Sequence, residues 1–197
     1  MPPRIAQLPR DARGYPIPWN VLRGNDGAPI FTVNDDRRAW QALRQELCPI
    51  CGERLGKWRW FVGGPRSAFD EHGWYLDLPG HQECMQFALA TCPYLAAPKY
   101  LGRIDVPNPA KLPAEVDVLL DETMLSDRPE FFVAVAAARM ELNPRPLPEL
   151  QPYVRPARPA FAYEFWRHGV QVPAHRVMPI LRGMFGAEWT IPEVVAE

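Results

Sequence analysis

The sequence predicts an α+β fold in which short strands and helices gather around one small cysteine-rich module, and three observations lead there. Two pairs of soft donors, Cys48-x2-Cys51 and His81-x2-Cys84, stand on either side of a long gap. Inside the gap, Trp58-Arg59-Trp60-Phe61-Val62 alternates like a half-buried strand and is broken by Gly63-Gly64-Pro65. Ahead of the first pair, Asp36 to Leu47 carries an apolar stripe of Ala39, Trp40, Leu43 and Leu47, with Asn34 or Asp35 placed to cap a helix.

Cys-x2-Cys followed at a distance by His-x2-Cys is a zinc-ligand pattern. In Cys48-Pro49-Ile50-Cys51-Gly52 two thiolates flank a tight turn, and Gly52 can take the positive φ that aims backbone amides at the sulfurs. His81 and Cys84 sit three apart at the start of an expected helix, roughly Gly80 to Thr91, so they share one face. Three thiolates and one imidazole fill a tetrahedral zinc, and a closed site builds structure instead of catalysing. Cys92 returns to nearly the same helix face as His81, but ~16 Å further along the axis, too far for one ion to span. It is expected to be a buried free thiol. A redox reading of Cys48-x2-Cys51 lacks its βαβ context. With Gly73-Trp74-Tyr75-Leu76-Asp77-Leu78 as a returning strand, the order knuckle, hairpin, helix describes a treble-clef-like zinc module.

Several motifs resemble, in order, those of a group of uncharacterised bacterial and phage proteins. They are Gly14-Tyr15-Pro16-Ile17-Pro18-Trp19, Cys48-Pro49-Ile50-Cys51-Gly52 with Leu55-Gly56, Phe61-Val62-Gly63-Gly64-Pro65, His81-Gln82-Glu83-Cys84 and Cys92-Pro93-Tyr94-Leu95. The likeness is good over the first half and thin over the last third. It implies the zinc motif and no activity. Those proteins often have Met-Cys-Ala after the Gly-Pro, where this chain has Arg66-Ser67-Ala68.

At 197 residues, 47% hydrophobic and 23% charged, the chain can bury a real core. It has 24 prolines, many of them concentrated in the first 29 residues, in Val106 to Pro113 and in Asn143 to Pro159, and such runs read as extended linkers. No apolar run approaches the ~20 residues of a membrane span and no signal peptide is evident, so a cytoplasmic location is expected. A net charge of −1 argues against a strongly electrostatic DNA binder. Yet residues 1–66 hold 11 Lys and Arg against 6 Asp and Glu, so the first part is basic and the remainder acidic.

The expected organisation follows. Residues 1–14 form an extended arm and 15–100 the zinc-binding α+β module. Its N-terminal hairpin joins Ile17–Leu22 to Pro29–Val33 through Gly24-Asn25-Asp26-Gly27. Residues 101–160 form a proline-rich connection with one strand or helix at 129–142, read as strand from the alternation of Phe132, Ala134, Ala136, Ala138 and Met140. Residues 161–197 supply a strand at Phe161–Arg167, a turn at His168-Gly169 and a helix from Pro173 that Pro179 must kink or restart. This late part is expected to pack on the first module, its strand pairing with the N-terminal hairpin.

Three further sets are candidates for function. Arg54, Lys57, Trp58, Arg59, Trp60 and Arg66 would make a basic, aromatic hairpin on which bases stack while cations meet phosphate. The plainer alternative has the tryptophans covering a small core. His72 beside Asp70 and Glu71 offers a metal-dependent nuclease or hydrolase, against the plain reading of a solvated turn. Asp117, Asp121, Glu122 and Asp127 form an acidic stretch. The expected function is non-enzymatic: a structural zinc protein that binds nucleic acid or a protein partner, or an accessory subunit of a larger complex.

Overall fold

A computed structural model describes residues 1–97, 112–113, 128–145, 148 and 150–195. The acidic stretch and most of Val106 to Pro113 therefore lie outside the described residues. The chain opens with one turn of helix, α1 (Pro3–Ala6), where an extended arm was expected. Ile5 is the reason: its side chain is fully buried and anchors the turn. Strands β1 (Val21–Arg23) and β2 (Pro29–Asn34) pair as an antiparallel hairpin. Helix α2 (Asp36–Gln45) follows, its N-cap Asp35 accepting hydrogen bonds from the amides of Arg37 and Arg38.

The central sheet is built from β3 (Arg59–Gly63), β4 (Phe132–Ala137), β7 (Ala162–Arg167) and β8 (Val170–Val172), in that spatial order and all antiparallel. Every residue of β4 is buried, as a central strand covered on both faces requires. A tight turn joins β7 to β8 with His168 and Gly169 both at positive φ, the geometry that matches the twist of the flanking strands. Strands β5 (Met140–Asn143) and β6 (Tyr153–Pro156) make a separate pair, so the last proline-rich run does contain a strand, with Pro156 at its end. A 3-10 turn (Ala174–Arg176) leads into the last helix, Met178–Phe185, which restarts with Pro179 in its first turn.

Two sequence expectations change here. The segment after β3 does not return as its hairpin partner. Pro65 takes the first turn of helix α3 (Pro65–Phe69), and Tyr75 exchanges backbone hydrogen bonds with Val154 of β6 at 2.7 and 3.0 Å. Strand β3 pairs instead with β4. Likewise the late strand β7 pairs with β4, and the N-terminal hairpin stays a two-stranded sheet of its own.

Because side chains alternate along a strand, the sheet has two different faces. Phe61, Val133, Val135 and Phe165 face a core with Phe69, Tyr75, Ala39, Ala42 and Leu181. Trp60, Phe132, Ala134, Ala136 and Trp166 face Met85 and Leu89 of helix α4 (Gln82–Thr91). Among these apolar residues lies one buried carboxylate, Glu164, which accepts hydrogen bonds from Gln82 and Gln86 of α4 at 2.8 and 2.9 Å and from the Trp166 indole at 3.1 Å. Apolar burial and this polar clasp together fix the helix that carries His81 and Cys84 to its start. A short helix, α5 (Pro93–Ala96), follows it, and Cys92 sits half-buried at the junction instead of being buried as expected.

Candidate metal centre

Helix α2 ends at Glu46, a left-handed residue at φ 55 that turns the chain sharply back. The reversal brings Leu47 opposite Arg54, and the Cys48 amide donates to the Glu53 carbonyl at 2.8 Å. The Gly52 amide then donates to the Cys48 carbonyl at 2.8 Å, closing the knuckle with Gly52 at φ 76. A Cβ on Gly52 would also lie 2.7 Å from the Trp19 ring, so glycine is required twice over. Trp19 is held against the knuckle by its own amide, which donates to the Ile50 carbonyl at 2.8 Å, while the Asn20 amide donates to Pro49 at 3.0 Å.

The second pair arrives on the other side. His81 is the N-cap of α4, and Cys84 lies within the first helical turn. One donor atom from each of Cys48, Cys51, His81 and Cys84 falls within 4.8 Å of all the others, the one such convergence of three or more His, Cys, Asp or Glu among the described residues. Cys48 and Cys84 are buried, and Cys51 and His81 are half-buried. His81 Nδ1 stands 3.4 Å from Cys51 Sγ and 4.0 Å from Cys84 Sγ. Its Nε2 hydrogen donates to the Arg54 carbonyl at 3.0 Å. A carbonyl can only accept, so the neutral ring keeps the Nδ1 lone pair free and aimed at the sulfurs, an arrangement typical of metal-bound imidazole.

The thiols do not titrate independently. Contact with Cys51, and then with Cys84, pulls the Cys48 thiol far below its ordinary range. Contact with Cys48 pushes Cys51 up to about 11 and raises Cys84 as well. Contact with Cys48 also raises His81. One thiolate therefore forms at the expense of its neighbours. Three thiolates this close need a cation among them, and the donor set of three sulfurs and one imidazole fits zinc.

Residues that spacing alone did not single out complete the surroundings. Arg4 of α1 donates to Glu53 at 2.8 Å and to Glu83 at 3.0 Å, tying the first helix to both ligand-bearing segments. Beneath it Ile5 packs with Cys48 and Cys84, and Leu8, Ile50, Leu55 and Phe87 close the apolar shell. Gly80 has no room for a side chain: a Cβ there would lie 2.6 Å from Met85 Cε and 3.0 Å from Cys48 Sγ. The signal for Gly80 was its place immediately before a ligand. Nothing local marks Arg4 or Ile5.

The basic, aromatic surface is placed differently from expectation. Trp60 is only 5% exposed because it packs on the alanines of β4 and on α4. Trp58 is half-buried, with Phe161 stacked at 4.0 Å and the Lys57 ammonium 4.6 Å from its ring centre. Arg59 is turned inward, bonded to the Glu46 carboxylate and the Ala138 carbonyl. Arg54, Lys57 and Arg66 are exposed. His72 is exposed too, and its amide donates to Asp70 Oδ1 at 2.9 Å in a local turn. The cluster of donor atoms does not include it. No helix among the described residues is long and apolar enough to cross a membrane. No family model, curated protein or solved structure matches the chain.

Proposed function

We propose that this is a non-enzymatic zinc protein whose metal centre is structural, and that it serves in the cytoplasm as a binding module for a nucleic acid or protein partner. The observation that carries the reading is the closed donor set of Cys48, Cys51, His81 and Cys84, with all four donor atoms within 4.8 Å of one another. Four such ligands satisfy a tetrahedral ion and leave no position for a substrate or a reactive water. When bound, zinc would supply charge neutralisation for the thiolates and a cross-link between the Cys48–Cys51 turn and helix α4. Arg4 and Ile5 lay α1 over that junction. The order of knuckle, β3 and α4 supports a treble-clef-like module, with β4 supplying the strand partner that the adjacent segment does not.

Metal analysis of protein purified without chelator tests the proposal. About one zinc per chain is expected, and it should be lost in Cys51→Ala. Metal-free native protein, or Cys51→Ala with full zinc content, would refute the assignment. Co-purification from the native host, with the retained material digested by nuclease or protease, then separates the two partner classes.

A further inference from the structure

Away from the metal, the N-terminal hairpin and the loop before it enclose an open groove of about 610 Å³. Its walls include Arg10 and Arg13 from the loop, Arg23 from β1 and Phe31 from β2. Two aromatic rings stand out at this surface, Tyr15 at 56% and Phe31 at 41% exposure. The Arg13 guanidinium lies 5.2 Å from the centre of one ring and 5.7 Å from the other, so a single cation is held between them. Arg13 is also paired with Asp11 at 2.8 Å.

The charges in the groove are unevenly committed. Arg10 donates to the Gly14 carbonyl at 2.8 Å and contacts the Met1 sulfur, and Arg23 has no ion pair, so neither has a carboxylate partner among the described residues. Both acids of the groove are engaged in turns. Asp11 accepts from the amides of Tyr15 at 2.8 Å and Arg13 at 3.0 Å, and Asp26 accepts from the Ala28 amide at 2.9 Å. The lining therefore carries three guanidinium groups against two carboxylates, and exposed rings beside guanidinium groups without a direct carboxylate partner make a surface that receives unstacked bases and phosphates together.

We propose that this groove binds single-stranded nucleic acid, bases resting on Phe31 and Tyr15 and phosphates meeting Arg10 and Arg23. The proposal rests on the binding-module reading and names its partner and its place. A duplex is disfavoured because its bases are already stacked and cannot reach the rings. An acidic peptide would use the arginines and leave the rings without a role.

The test is fluorescence anisotropy with zinc-replete protein and a short labelled oligo(dT), run beside the same sequence as duplex and beside an oligoglutamate peptide. The single strand is expected to bind best, with log K falling against log salt at a slope of about −1.4, as two guanidinium groups meeting phosphate give. Phe31→Ala should weaken binding roughly 5- to 150-fold, and Phe31→Tyr should keep most of it. Arg10→Ala with Arg23→Ala should flatten the slope to near zero. Lys57→Ala with Arg66→Ala should change neither. Circular dichroism and zinc content on each variant show that the fold is kept. Equal binding to duplex, preference for oligoglutamate, indifference to Phe31→Ala, or loss through Lys57 and Arg66 would each overturn the proposal. Zinc-replete protein that ignores the oligonucleotide refutes the groove alone, whereas zinc-free native protein refutes the structural-metal reading beneath it.

Discussion

Gly80→Ala tests how closely the backbone is fitted to the metal centre. The added Cβ would come within 2.6 Å of Met85 Cε and 3.0 Å of Cys48 Sγ. The methionine tip is the end of a flexible side chain and can swing away at little cost. On the proposed zinc reading the sulfur cannot, because a zinc–thiolate bond of ~2.3 Å would tolerate only a small displacement. The expected result is overpacking of roughly 1–3 kcal/mol, most of it felt in the metal-bound state. For a chain of this size a loss of ~2 kcal/mol lowers the melting temperature by about 4–8 °C. Gly56→Ala is the matched control, since its Cβ would meet nothing within 4 Å. Thermal melts of both variants with zinc present, and zinc competition against a chromophoric chelator, provide the readout. Adding Met85→Ala to Gly80→Ala removes the methionine clash and leaves the sulfur clash, so the zinc affinity should stay depressed. A Gly80→Ala protein that melts and binds zinc like Gly56→Ala would show that the cradle around Cys48 is not tight, and the reasoning would fail.

Further outcomes follow from the same structure. Cys51→Ala should leave unfolded or insoluble protein while Cys92→Ala costs at most ~1–2 kcal/mol, because only the former removes a group from the convergent set; equal damage, measured by soluble yield and denaturant midpoint, would overturn the ligand assignment. Acidification should release zinc as protons compete for the thiolates and the imidazole, an effect that a metallochromic dye would follow and that pH-independent retention would contradict. Ile5→Ala should cost about 2–5 kcal/mol, since its fully buried side chain packs against Cys48 and Cys84; proteolysis at the N-terminus would report the freed arm, and an unchanged digestion pattern would argue that α1 is not anchored there. Burial holds the Tyr75 phenol above its ordinary value, and its hydroxyl lacks a hydrogen-bond partner among the described residues. The folded chain then keeps a proton that the unfolded chain releases near ~10, so this contribution is present below about pH 10 and is lost as pH rises above it. Tyr75→Phe should be neutral or stabilise by about 1 kcal/mol and should make the alkaline loss shallower, which denaturant melts between neutral and alkaline pH would test.

The features legible in the sequence were those decided within one turn or one cap. The two donor pairs, the Gly52 turn, the Asp35 cap, the His168-Gly169 reversal and the Pro179 restart each depend on neighbours within about four residues, where side-chain chemistry and φ preference act directly. Tertiary structure decided what met across distance. Strand β3 found its partner in Phe132–Ala137 because that segment is apolar on both faces and must be central, whereas Pro65 turned the adjacent chain into a helix. That pairing also settled the tryptophans. With Ala134 and Ala136 opposite and α4 docked above, Trp60 fills a gap left by small residues, so a side chain that alternation marks equally well as exposed or covered became core. The same logic placed Arg4 and Ile5, remote in sequence, over the metal centre. Periodicity states that a face is apolar, but only the packed chain determines which other face it meets.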